Sequence, residues 1–553
     1  MAVTPYTGAF GPQELRHLLR RSLFGVSPAD MAHFNGMPLN AVVNELLNFT
    51  DDTTPPIKAY SDLSGGTPDP NAIDAPVAFG DTWTTVPIDY NTLTDDSIGY
   101  RVNSFQYWWA GLMVHQERNL REKLVLFYHS YLVTQGYVVF DANSQYALNR
   151  QFRQQALGNF RQLVYDVTLE PHMLVYLNGY LNVASAPDEN YGRELMELFT
   201  LGEGSGYTEA DVHAAARVLT GWSVAYENNG QPALPHAVYY QGNHDATDKQ
   251  FSSFFGNALI AGHAGPNGGA TEINELLDLI FAKEECALFV CRKLYHFFVH
   301  GEIDADTEAN FITELAALFQ ANTGAPNQMR TVLHALFTSD HFFSSTIRGC
   351  MVKSPADHAV GIARSLGMPF PGPDEFEAQY SLWGDVFWQI AYAGQQLTDP
   401  PNVAGWLPYR VAPAYDLLWL DNATYPARRD IYNYFCYSGL TTPPDMVQAQ
   451  SANVNYPIDF VALVQQLTDP YDPNILINDL AELLFAVPVS QAVKDQLKHN
   501  FLLQGQQSDY YWSSAYETYV TDPNTTDMTA QMVPSILVWL ITDMQGAAEN
   551  NLF

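Results

Sequence analysis

The sequence predicts an all-α protein, a large multi-helix globular assembly with long irregular loops and room for one small β-hairpin. Three observations lead there. Apolar residues recur at i, i+3 and i+4 through most of the chain, capping residues open many of those runs, and no array of alternating strands is visible. Hydrophobic residues make up 47% of the 553 and aromatics 13%, which is enough for several cores and too much for global disorder. No repeat of about 20–50 residues is present, so a solenoid is not expected.

From Gly11 to Phe24, Leu15, Leu18, Leu19 and Leu23 mark one helix face behind Pro12, and Gly25 ends the run. Ser27-Pro28 opens a second helix with serine as N-cap, and Asn40 to Leu47 gives a third. Residues 51–95 carry Asp51-Asp52, Pro55-Pro56, Gly65-Gly66, Pro68 and Pro70 and read as an irregular insertion, a kind of segment that is often functional or mobile. Helical spacing then continues from Asp95 to Asn178, with one helix around Tyr107-Trp108-Trp109, one from Arg121 through His129 and one from Ser144 to Phe160. Two motif helices follow, then an Asn- and Gly-rich connection from Asn228 to Gly269, in which a hairpin fits between 225 and 260. Further helices are expected near 271–283, 284–299, 307–321 and 327–338, and from Pro355 to Leu366. The organisation is therefore 1–50, N-terminal helices; 51–95, irregular insertion; 96–430, a helical core containing the motif helices 187–222; and 431–553, a C-terminal helical region.

The formal charge is −34, from 60 acidic residues against 26 basic ones. Phosphate contacts need lysine and arginine, so no nucleic acid partner is expected, nor an anionic membrane surface. Met1-Ala2-Val3-Thr4-Pro5 shows no signal peptide, and the apolar run Ile536–Ile541 is too short for a transmembrane segment. Cys286, Cys291, Cys350 and Cys436 have neither disulfide-like nor zinc-knuckle spacing and read as free thiols.

Only 16% of the chain is charged, yet Arg193, Glu194, Glu197, Asp211, His213 and Arg217 crowd into two consecutive short helices. Glu194 and Glu197, three residues apart, share a helix face. Thr208-Glu209-Ala210-Asp211 matches a capping box that starts the second helix. With His129 from a neighbouring helix, the two glutamates could ligate a divalent metal ion. Alternatively, one of them acts as a general acid or base, with Arg193 and Arg217 nearby. The structural alternative is a salt-bridge network in which Arg193 pairs with Glu197 and Arg217 neutralises Glu194 or Asp211. His17 and Arg21 lie one turn apart and suit either a network or a pocket wall, and His244-Asp245 could cover the site. Arg20, Arg21, Lys123, Arg193, Arg217, Arg292, Lys293 and Lys353 could converge as an anion site within an acidic shell. Asp304-Ala305-Asp306-Thr307-Glu308 lacks the glycine and final glutamate of a calcium loop and reads as an acidic helix start.

The run Asn190-Tyr191-Gly192-Arg193-Glu194-Leu195-Met196-Glu197-Leu198-Phe199-Thr200-Leu201-Gly202, followed by Gly206-Tyr207-Thr208, Ala215-Ala216-Arg217 and Thr220-Gly221-Trp222, resembles the signature of the bacterial DUF1800 family. His17-Leu18-Leu19-Arg20-Arg21, Glu122–His129, Cys291–Tyr295, Lys353-Ser354-Pro355 and Pro400–Trp406 fit the same family in order, so the resemblance spans roughly residues 12 to 430. It implies a bacterial protein, periplasmic or extracellular, that works beside a DUF1501-like protein. It supplies no catalytic residues. The missing leader leaves a cytoplasmic location open. Two functions are expected in parallel. One is a hydrolase-type enzyme acting on an extracellular or periplasmic polymer, such as a polysaccharide, through a carboxylate/His/Arg site. The other is a non-catalytic binding or assembly protein whose motif charges are structural.

Overall fold

The computed structural model describes residues 3–50, 53–62, 67–90, 94–448 and 453–553. Met1-Ala2, Asp51-Asp52 and Gly65-Gly66 lie outside the described residues. Helices account for 54% of the chain, and the strands among the described residues form three two-stranded antiparallel sheets. The fold is mostly α with small hairpins. No described helix is long and apolar enough to cross a membrane.

The first helix, Pro12–Ser22, starts where Glu14 accepts a hydrogen bond from the Gly11 N–H at 3.0 Å, and Pro12 supplies the fixed φ of a first turn. Pro28–Phe34 begins with a reciprocal Ser27/Asp30 capping box. Asp304 caps its helix through the Thr307 N–H at 2.7 Å, so the acidic stretch is indeed a helix start. The helix expected from Ser144 to Phe160 is two helices, Ala142–Gln155 and Phe160–Thr168, because Asn159 caps the second through the Gln162 N–H. The main hairpin pairs Trp222–Asn228 with Gln231–Tyr239. Its turn residues Asn229 and Gly230 both have positive φ, 53° and 77°, the backbone twist a two-residue hairpin needs.

The irregular insertion is pinned from within. Lys58 is fully buried and donates to the carbonyls of Ile73, Asp74 and Val77. Arg101 grips Asp74 with two 2.7 Å bonds, both side chains being inaccessible. The apolar core runs without interruption from Val3 to Met544. At its centre every residue of the Arg121–Tyr131 helix except Ser130 is buried. Its buried polar members Arg121, Glu122, Lys123 and His129 therefore need internal partners, and Arg121 bonds the Thr50 carbonyl at 2.8 Å. Glu122 finds Arg153, Lys123 finds Asp357, and His129 packs edge-on to Trp109 at 5.2 Å and Trp406 at 5.8 Å. Cys286, Cys291, Cys350 and Cys436 are free thiols.

Candidate active site

The motif segment begins as an α-helix, Asn190–Glu194, and widens into a π-turn, Leu195–Thr200. The extra residue is visible in the bonding, since both Leu201 and Gly202 donate back to the Met196 carbonyl, at 2.8 and 3.1 Å. Such π-turns concentrate at functional sites because they re-aim side chains on an otherwise regular helix. Here the junction falls between Glu194 and Glu197. Both side chains are half-buried, and among the described residues neither has a hydrogen-bond or ion-pair partner. Burial first, and then the negative charge of Glu197, push the Glu194 carboxyl up, with Arg193 opposing.

A third carboxylate acts on a tyrosine that Glu194 also influences. Tyr176 lies in the field of Asp399 and Glu194, which, after burial, raises its phenol. Asp399 is itself pushed up by burial, and the Tyr137 N–H bonds to it at 3.3 Å. Thr398, just before it, holds φ at +71°, a left-handed conformation that a β-branched residue adopts only under restraint. Gln106 donates to Thr398 Oγ1 at 2.8 Å and Gly136 N–H to the Thr398 carbonyl at 2.8 Å, and these bonds supply that restraint. Tyr207 flanks the other end, its phenol pushed up to about 12 by burial and by Glu197. Glu194 and Glu197 are neighbours on the motif helix, and Asp399 shares Tyr176 with Glu194; we term these three carboxylates, with Tyr137, Tyr176 and Tyr207, the acidic strip. Asp399 immediately precedes the Pro400–Trp406 segment, the one signal by which sequence reasoning could have found it.

The remaining expected site residues go elsewhere. Arg193 bonds Glu189 at 3.2 Å and Glu209 at 2.6 Å, not Glu197. Arg217 bonds Asp245 at 2.6 Å and Thr247 at 2.5 Å, not Glu194 or Asp211. Among the described residues the expected network around the motif glutamates is absent, because Arg193 reaches Glu189 and the exposed Glu209 while Arg217 turns to the largely buried Asp245. Burial pushes Asp245 up, and the bonds from Arg217 and Thr247 overcome this and hold it below the usual carboxylate range. Asp211 serves the capping box and also receives the Ser252 N–H and hydroxyl at 2.7 Å each, which ties the connection to the motif helix. His213 is exposed beside Glu189. His244 is buried, 3.1 Å from Glu272, whose other oxygen meets Lys249 at 2.5 Å. His244 and Asp245 are thus bound into the packing around the Gly268–Phe281 helix. His17 is buried with Nε2 2.9 Å from the Phe342 carbonyl, and Arg21 bonds the Ile347 carbonyl at 3.0 Å.

His129 is pushed down to about 3 by burial, and its Nε2 has no partner. Among the described residues no group of three or more His, Cys, Asp or Glu is placed to hold a metal, so Glu194, Glu197 and His129 are not assembled as a ligand set. Another buried polar group that sequence reasoning missed opens the Pro171–Tyr176 helix. Glu170 is buried and pushed up to about 8, one oxygen accepting the His172 N–H at 2.6 Å and the other unpaired.

A family model described as a protein of unknown function, DUF1800, matches residues 17–533. The chain belongs to the DUF1800 family. The match carries the resemblance, read from residues 12 to 430, through most of the C-terminal region as well. No curated protein and no solved structure matches the chain. Of the DUF1800 signature pieces, the motif helix lies at the strip and the Pro400–Trp406 piece follows directly on Asp399. The motif helix supplies Glu194 and Glu197, and the segment before Pro400 supplies Asp399. The Arg121–Tyr131 helix supplies Tyr131, whose hydroxyl donates to the Phe199 carbonyl at 2.8 Å and anchors the π-turn.

Proposed function

We propose that this DUF1800 protein is a hydrolase-type enzyme acting on an extracellular or periplasmic polymer, with the acidic strip as its active site. The observation that carries the reading is the pair of half-buried glutamates without a cationic partner. A carboxylate buried for structure is given hydrogen-bond or ion-pair partners, whereas one that is partly desolvated and has neither keeps its proton nearer to neutral pH and can deliver it. In this reading Glu194 protonates the leaving group and Glu197 accepts the proton of the attacking water. Asp399 holds the substrate, and the bordering tyrosines offer flat faces of the kind that suit sugar rings. A polysaccharide is therefore the favoured polymer. His129, Arg193 and Arg217 take no direct part.

The test is a hydrolysis screen of glycosides, esters and polysaccharides with wild type, Glu194→Gln and Glu197→Gln. Loss of about 100-fold or more in each variant, with melting temperature retained, is expected. Turnover that survives Glu194→Gln, or no turnover of any substrate class by the wild type, would sink the proposal.

Trp388 and Tyr392, 46% and 60% exposed and one turn apart on the Phe376–Tyr392 helix, favour the second reading, a non-catalytic assembly protein working with a DUF1501-like partner. Trp388→Ala and Tyr392→Ala would then abolish co-purification with that partner, while Glu194→Gln would not.

A further inference from the structure

An acidic chain has little reason to gather its scarce cations around one hollow. The chamber between the Pro12–Ser22 helix and the Pro473–Leu484 helix has a volume of about 510 Å³ and is walled by Arg16, His17, Arg20, Arg348 and Lys494. A narrow recess shares its Arg20 and Phe553 walls and adds Lys353 and Asp357. Five of the chain's 26 lysines and arginines line these two spaces, against two of its 60 acids, so the local charge is opposite to that of the molecule. The acids present are already engaged. Glu482 pairs with Arg16, Asp357 with Lys123, and Glu14, just behind, with Arg348 at 2.7 Å.

Three cations have no carboxylate bonded to them, although Glu482 and Asp357 lie near enough to act on Arg20 and Lys353. Arg20 donates only to the carbonyls of Glu482 and Leu483, Lys353 to Asn550 Oδ1 at 3.2 Å, and Lys494 to Asn478 Oδ1 at 2.8 Å. Deeper in, Arg21 and Arg428 are buried with carbonyl, thiol and amide partners and no carboxylate within pairing distance. Phe553 contributes its ring, 4.4 Å from Arg21 and 5.4 Å from Lys123. Partly desolvated cations without counter-charges destabilise a fold unless an anion completes them. The opposite wall of the chamber is apolar, built by Phe485, Val487 and Val489.

We propose that this chamber binds a small organic anion, its oxyanion head (phosphate, sulfate or carboxylate) between Arg20 and Lys353 and its apolar body against Phe485 and Val487. The volume suits a ligand of one or two rings, and the arginine fork suits a planar pair of oxygens. The proposal is independent of the acidic strip, and either can fail without the other. Lys353 provides a second signature. Burial and the nearby Arg20 charge pull its ammonium down to about 7, Asp357 opposing and Arg428 and Lys123 adding to the fall. A bound anion favours the protonated form, so binding takes up a proton just above neutrality and weakens as pH rises through about 7.

The experiment is calorimetric titration of the full chain with phenyl phosphate, phenyl sulfate and benzoate, with inorganic phosphate and phenol as the head and body alone. At least one aryl anion is expected to bind with Kd below about 1 mM, roughly tenfold tighter than inorganic phosphate, and the three arms identify the head. Arg20→Gln and Lys353→Met should each weaken binding by about tenfold, and Lys353→Met should also abolish the proton uptake. Lys494→Gln, at the chamber wall, should retain the fold and weaken binding about threefold, so the test stands even if the recess variants do not fold. No aryl anion bound at about 10 mM, or binding indifferent to Lys494→Gln and to any recess variant that folds, overturns the proposal.

Discussion

Glu122 is buried and saturated. Arg153 holds both of its oxygens, at 2.5 and 2.9 Å, and Arg121 approaches at 3.4 Å. Glu194 is half-buried and has no cation bonded to it, only Glu197 and the more distant field of Arg193. Asp74 with Arg101 and Glu272 with Lys249 follow the first pattern. Asp399 follows the second. The same chain gives Glu122, Asp74 and Glu272 arginine or lysine, satisfies Asp211 and Asp141 with backbone N–H and hydroxyl donors, and leaves Glu194 and Glu197 without a bonded partner among the described residues. In the proposed function this difference separates charges that hold helices together from charges held ready for a ligand or a proton.

The largest expected effect lies on the structural side. Glu122→Ala leaves Arg153 buried opposite a void and should lower stability by about 3–5 kcal/mol, measured by denaturant unfolding. A loss as small as that of a surface substitution would erase the distinction between the two classes. Next comes Glu170, which sits between them, bonded to backbone N–H groups but lacking a cation. Its folded value of about 8 lies above the unfolded value near 4.5, so wild-type stability falls as pH rises from about 4.5 towards 8. By pH 7 the loss is on the order of 3 kcal/mol. Glu170→Gln keeps an acceptor for the His172 N–H and cannot ionise. Its melting temperature should exceed the wild type's at pH 7 and converge with it at pH 4, and parallel curves across that range would remove Glu170 from the argument.

Much of the frame of this comparison was legible in the sequence. Ser27/Asp30 and Thr208/Asp211 announce their helices because a cap is local chemistry, written within four residues. His129 behind an apolar run reads equally well as core, and it is core. What could not be read is pairing at a distance. Arg217 finds Asp245 across the hairpin, and Asp399 and Glu194 come to act on the same tyrosine, Tyr176, from two hundred residues apart, relations that no spacing rule encodes. The π-turn is equally silent, since it is a register of backbone bonds and not a side-chain pattern. The insertion misleads for the opposite reason. Its prolines and glycines signal irregular backbone correctly, but nothing local shows that Lys58 is inside and ties that backbone down.

The smallest effect gives the sharpest test of the acidic strip. Arg193 is bonded to Glu189 and Glu209 at the surface, where pairs contribute little, so Arg193→Gln should move the melting temperature by no more than about 1 °C. Its charge nevertheless reaches Glu194 and holds that carboxyl lower than burial and Glu197 would leave it. Removing it should let the Glu194 titration midpoint rise, and removing the neighbouring negative charge with Glu197→Gln should let it fall. Carbon-detected NMR of the Glu194 carboxyl follows both. Shifts of opposite sign with the fold intact would show that Glu194 is tuned by its neighbours without being bonded to them, as a proton donor must be. Two shifts of the same sign, or none, would mean that Glu194 is simply solvated and that the unpaired strip is ordinary surface.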